Sequence, residues 1–133
     1  MVNDIFVNLT VEDLERSKNF FSQLGFSFNQ QFTDENAACL ILGEHIFAML
    51  LVKKFFNTFT TKTIADTNTT SEVITALMVG TKEEVDRLAD DAFNAGAKYY
   101  RDTEDMGFMY LRTFQDPDGH LWEVGWMDPS HVE

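Results

Sequence analysis

The sequence predicts an α+β fold made of two tandem β-α-β-β-β modules. Three observations carry that expectation. Apolar residues alternate with period two at 5–11 and again at 72–79, the mark of a half-buried strand. Each of these runs leads into a helical stripe that stops at a glycine, and Leu14 to Gly25 has the same eleven-residue spacing as Val85 to Gly96. After each glycine come three further strand-like runs. A repeat of roughly 55–60 residues is too long for a solenoid unit and suits a duplicated supersecondary module.

In module one, Ile5, Val7, Leu9 and Val11 form one face of the first strand, and Phe6, Asn8 and Thr10 form the other. The segment Thr10 to Asp13 reads as a helix start, because Glu12, Asp13 and Glu15 put acid into the first turn. Leu14, Phe20, Phe21 and Leu24 supply the buried stripe. Strands are expected at 26–32, 37–42 and 45–52, with a turn at Gly43-Glu44. In module two the strand 72–79 precedes a helix at 82–95, where Val85, Leu88, Ala89 and Ala92 recur at helical spacing. Strands follow at 97–101, 108–114 and 120–127, the last pair joined by Asp116-Pro117-Asp118-Gly119. The expected layout is one domain: module one 2–53, a linker or flap 54–71, module two 72–127 and a tail 128–133. Within 58–70 there are seven threonines and one aromatic residue, Phe59, which suits a linker or a lid over a site.

Composition narrows the classes of partner. The chain has 133 residues, is 44% hydrophobic and carries 13 Phe, far too apolar for a disordered chain. Its net charge of -12 argues against nucleic acid and anionic membrane as partners. The longest apolar run, 46–52, is too short to span a bilayer. Cys39 is the single cysteine and sits in an apolar run, so it reads as a small core hydrophobe. The stretch from Met1 to Phe6 lacks the basic region of a secretory signal. A reduced, cytoplasmic protein is the expectation.

Two motifs and the repeat together resemble a known family. One motif is Phe6-Val7-Asn8-Leu9-Thr10-Val11-Glu12-Asp13-Leu14-Glu15, with Phe20-Phe21 and Leu24-Gly25-Phe26 behind it. The other is Asp116-Pro117-Asp118-Gly119-His120-Leu121-Trp122-Glu123-Val124. With the duplicated β-α-β-β-β order they resemble the glyoxalase / bleomycin-resistance / extradiol-dioxygenase superfamily, the vicinal oxygen chelate proteins. The resemblance implies a curled mixed sheet, a cup, with the helices outside. It also implies a homodimer, since sites in the family are commonly completed by a partner chain.

The family's metal enzymes hold a divalent ion with up to four side chains from the first and last strands of each module. Carried over, those positions are Phe6, about Ala48, Ile74 and Glu123. Only Glu123 can ligate, whereas a catalytic site needs about three protein ligands. No cofactor is therefore expected, the alternative being a divalent metal ion at a rebuilt site. His45 and His120 are expected to point away from the cup, and His131 lies in the tail.

Strand alternation places Phe6, Asn8, Ile74, Ala76, Leu121 and Glu123 on inward faces as ligand-binding candidates. Glu123 stands among apolar neighbours, where a carboxylate can act as general acid or base, bind a cationic group, or persist as a hydrogen-bonded relic. Arg112 is a further candidate, for an anionic ligand or for Glu123; a structural ion pair is the alternative. Phe55, Phe56 and Phe59 beside the polar stretch suit a pocket edge or a subunit contact. Two function classes stay open, with an interaction or structural role without a ligand as a third. One is a small-molecule-binding protein that holds a partly apolar ligand, as the bleomycin-resistance branch does. The other is a glyoxalase- or dioxygenase-like enzyme (lyase, isomerase or oxygenase) with a rebuilt metal site or with Glu123 as catalytic acid/base.

Overall fold

The structure is a computed structural model that describes residues 1–131. The chain forms two compact units, 1–65 and 66 onward. The first contains β1 (Ile5–Val11), α1 (Leu14–Gln23), β2 (Ser27–Asn29), β3 (Ala37–Gly43), β4 (Ile46–Val52) and a one-turn helix α2 (Lys53–Phe56). The second contains β5 (Ile74–Met78), α3 (Lys82–Asn94), β6 (Glu104–Asp105), β7 (Met109–Gln115) and β8 (Leu121–Met127). Each unit is thus a β-α-β-β-β module, and the fold is α+β. The hydrogen-bonded sheet is not continuous: sheet one runs β1-β4-β3-β2, sheet two runs β5-β8-β7-β6, and neither closes. Both are mixed, with the first and last strands parallel and the other neighbours antiparallel.

Each module hides one face of its sheet under its own helix. In sheet one, Leu9, Val11, Ala38, Leu40, Ala48 and Leu50 are buried, as are Leu14, Ser17, Phe20 and Phe21 of α1. Asp13 caps α1 by accepting from Arg16 N at 3.1 Å, and Gly25 takes φ 95 just beyond the helix, which favours glycine. In sheet two, Phe114, Trp122 and Val124 are fully buried with Val85, Ala89 and Ala92 of α3. Thr81 caps α3 by accepting from Glu84 N at 3.1 Å.

Two expected strands are cut short by local hydrogen bonding. The run 26–32 keeps only Ser27–Asn29 and then turns into a 3-10 helix, Gln30–Phe32. The Asn29 side chain accepts from Gln31 N at 3.0 Å and the Thr33 hydroxyl donates to Asn29 O at 2.7 Å, giving the chain an alternative to the ladder. The run 97–101 makes a single bridge, Lys98 to Gln115. The strand partner of β7 is instead Glu104–Asp105, beyond Tyr99 and Asp102, whose side chains bond to each other. Strand 72–79 shortens to Ile74–Met78.

The threonine-rich stretch divides between the units. Its second half is held in place: Asp66 O accepts from Thr69 N and Thr70 N at 3.0 and 2.8 Å, and the Thr67 hydroxyl donates to Asp118 O at 2.6 Å. The threonines thus serve as turn and docking hydroxyls. At the other end of the chain, residues 132 and 133 of the expected tail lie outside the described residues. Among the described residues no helix is long and apolar enough to cross a membrane.

On α3, Asp86 accepts from the Tyr110 hydroxyl at 2.6 Å and from Arg112 at 3.0 Å. The Tyr110 hydrogen bond lowers the Asp86 carboxyl below its ordinary value; burial opposes this and Arg112 assists. A lowered carboxylate stabilises the fold above its unfolded value, and that contribution is lost as pH falls through the folded value. Wild type should therefore exceed Asp86→Asn by about 0.5–1 kcal/mol near pH 7, because the pair is half exposed, and the gap should close below about pH 4. Paired denaturation curves across pH check this, since Asp116 and other groups are common to both proteins. A gap that widens in acid would contradict it.

Candidate functional site

The strand registers place the candidate residues. On sheet one, Phe6 pairs with Phe47 and Asn8 with Met49, on the face opposite Leu9 and Leu50. Phe6 is 48% exposed, Asn8 is exposed, and the Phe6 and Phe47 rings stack with centroids 4.6 Å apart. On sheet two, Ile74 pairs with Leu121 and Ala76 with Glu123, on the face opposite Trp122 and Val124. Ile74, Ala76 and Met78 are exposed there, whereas Leu121 is half-buried. Both sheets therefore leave apolar side chains uncovered on the side away from their helices.

Glu123 does not lie in an all-apolar setting. Its side chain is 19% exposed and its Oε2 accepts from Arg101 at 3.3 Å. Arg101 also holds Glu104 in a closer pair. The cross-strand partner of Glu123 is Thr113, whose hydroxyl donates to Arg101 O at 3.2 Å. Next in sequence to Arg101 is Tyr100. Its hydroxyl is buried beside the Thr113 hydroxyl, which donates to the Arg101 carbonyl and can still accept. Burial, and then the charge of Glu123, push the Tyr100 phenol up, so it keeps its proton. A phenol, a guanidinium and two carboxylates thus gather near Glu123 on the face of sheet two away from α3.

Arg112 lies elsewhere. It sits on the helix-covered face, opposite Glu123, and pairs with Asp90 at 2.8 Å as well as Asp86. The structure gives it the ion-pair role and does not bring it to Glu123. Sequence reasoning missed Tyr100, Arg101 and Glu104 because 97–101 reads as an ordinary strand, and because Arg101 meets Glu123 from 22 residues away.

The register makes Met49, not Ala48, the counterpart of Glu123: Phe6 and Ile74 face Phe47 and Leu121, and two residues on come Met49 and Glu123. Ala48 is buried on the helix side. The two hairpins have equal spacing, since Ile41 pairs with Phe47 as Gln115 pairs with Leu121, so laying Gly43-Glu44-His45 on the Asp-Gly-His of module two set the last strand off by one residue. The positions to which the resemblance assigns metal ligands hold Phe6, Met49, Ile74 and Glu123. Two hydrocarbons, a thioether and one carboxylate do not fit a divalent ion. Among the described residues, no three of His, Cys, Asp and Glu lie close enough together to hold one. His45 is exposed and pairs with Asp4 at 2.8 Å, His120 is buried behind the turn, and His131 stacks on Phe108.

Glu123 and its neighbours thus sit on a duplicated β-α-β-β-β scaffold with mixed sheets. A family model described as bleomycin resistance protein-like N-terminal matches residues 5–43. Hypothetical protein SA1046 from S. aureus is 27% identical, with TM-score 0.79, over 95% of this chain and 94% of that one. A glyoxalase/bleomycin resistance protein/dioxygenase family enzyme from Burkholderia phytofirmans PsJN is 18% identical, with TM-score 0.76, over 92% and 96%. Fosfomycin resistance protein FosX from Mesorhizobium loti is 15% identical, with TM-score 0.68, over 95% and 93%. No curated protein matches. The chain thus has the fold of glyoxalase/bleomycin resistance protein/dioxygenase structures, and its residues 5–43 resemble the bleomycin resistance protein-like N-terminal model.

Proposed function

We propose that the chain is a metal-independent binding protein for a small, partly apolar molecule, acting as a homodimer in the cytoplasm. The observation that carries this reading is the face of sheet two away from α3, exposed at Ile74, Ala76 and Met78 and buried at Leu111 and Thr113. There Ile74, Ala76 and Leu121 surround Glu123, a part-buried carboxylate with one oxygen engaged by Arg101. Ligand pockets are mostly apolar with a few polar groups that fix orientation, and this face has that make-up. Phe6, Asn8 and Phe47 give the corresponding face of sheet one a stacked aromatic pair beside an amide. The donor set at the family's metal positions supports the metal-independent form of the reading, with Glu123 as a binding group.

A thermal-shift screen followed by calorimetry tests it. For a ligand found that way, Glu123→Gln should keep the fold and weaken affinity by about 1.5–3 kcal/mol, the range for a hydrogen bond to a charged group. Turnover that drops by about two to four orders of magnitude with affinity unchanged would instead make Glu123 a general acid or base. Affinity and turnover both unchanged would remove Glu123 from the site.

A further inference from the structure

We propose that the exposed β5 side of this face of sheet two recognises a protonated amine carried on an apolar body, with Glu123 as the anion that receives it. The inference rests on the ligand-binding reading above and names its ligand class. The cluster is short of one positive charge: Glu104 and Glu123 share the single guanidinium of Arg101. Glu104 is the closer partner. Arg101 reaches Glu123 through one N–H at 3.3 Å, the long end of a hydrogen bond, and the other Glu123 oxygen has no partner among the described residues. At 19% exposure the Glu123 side chain is screened less than a surface carboxylate, so a second cation there interacts more strongly than an exposed pair.

The surroundings specify the rest of the ligand. Ala76 is the strand neighbour of Glu123, with Ile74 and Leu121 one step along on the same face and Met78 on its other side. Ile74 and Met78 are 50% and 54% exposed, an apolar surface for the body of the molecule. A carboxylate ligand would meet a cluster of net negative charge in a chain of net charge -12. An alcohol would gain the hydrogen bond without the charge attraction.

The test is a nuclear magnetic resonance titration of the full chain at neutral pH. The probes are phenethylamine, phenethyl alcohol and phenylacetate, read at the amides of Ala76, Thr113 and Glu123. Phenethylamine should bind saturably, about 10-fold tighter than the alcohol, and phenylacetate should not saturate. Glu123→Gln should weaken the amine about 10-fold and leave the alcohol within about 2-fold. Arg101→Gln should tighten the amine about 3-fold, because the competing guanidinium is gone. Glu104→Gln leaves Arg101 to Glu123 alone and should weaken the amine, which keeps the test open should Glu123→Gln misfold. Equal binding of amine and alcohol at these amides, or an amine weakened by Arg101→Gln, would overturn the cation inference and leave the ligand-binding reading standing. Absence of binding by all three probes at these amides would overturn both.

Discussion

Replacing Asp116 by Ala should cost about 3–5 kcal/mol of stability, the summed penalty of stranding several buried donors. The Asp116 carboxylate is almost wholly buried and ties the last hairpin together. Its Oδ1 accepts from Asp118 N at 2.9 Å and His120 N at 3.0 Å, and its Oδ2 accepts from the indole Nε1 of Trp122 at 2.9 Å. Burial pushes this carboxyl up, opposed by His120, the Trp122 indole and Asp118 N. Alanine removes the acceptor and leaves those three donors without it, one of them on the largest fully buried side chain of the chain. Asn keeps one acceptor oxygen but turns an NH2 toward a donor, so it should fall between wild type and Ala. Urea unfolding followed by tryptophan fluorescence measures the difference. A loss below about 1 kcal/mol for Asp116→Ala would mean that the hairpin is set by something other than this carboxylate.

Gly119→Ala should cost about 2–4 kcal/mol, for two independent reasons. Gly119 has φ 84, a left-handed conformation that L side chains seldom adopt. An added Cβ would also lie 2.5 Å from Thr67 O, 3.0 Å from Thr67 C and 3.1 Å from Asn68 Oδ1. The obstruction is backbone, so the docked 66–70 segment would have to lift and lose the Thr67 bond to Asp118 O. Gly107 is the control: φ 81 with nothing near its added Cβ, so Gly107→Ala should cost only about 1–2 kcal/mol. Hydrogen exchange at Thr69 and Thr70 should speed up in Gly119→Ala alone. Equal losses at the two glycines would show that the close approach to Thr67 contributes nothing.

Most of the architecture was legible in the sequence because the repeat states it twice. The alternation at Ile5 to Val11, the helical stripe from Val85 to Ala92 and the Asp-Pro-Asp-Gly turn each constrain the chain locally, and local constraints survive into the fold. The segments that were missed are those where side chains bond their own backbone or near neighbours: Asn29 and Thr33 end β2, and Tyr99 with Asp102 diverts the chain before β6. The site was legible only in part. Strand parity put Ile74, Ala76, Leu121 and Glu123 on one face, but parity does not show that Arg101 crosses to Glu123. Nor does it show which residues pair across the first and last strands, which is why Ala48 stood where Met49 belongs. Residues defined by pairing across strands become visible only when the register is known.

The central claim is that ligand binding depends on the chain's own side chains and not on a metal. Calorimetric titration of a screened ligand into chelator-treated protein, compared with the same protein incubated with zinc or manganese, tests that claim directly. The account predicts the same affinity in both. Binding that disappears in the chelated protein and returns with the metal would contradict it.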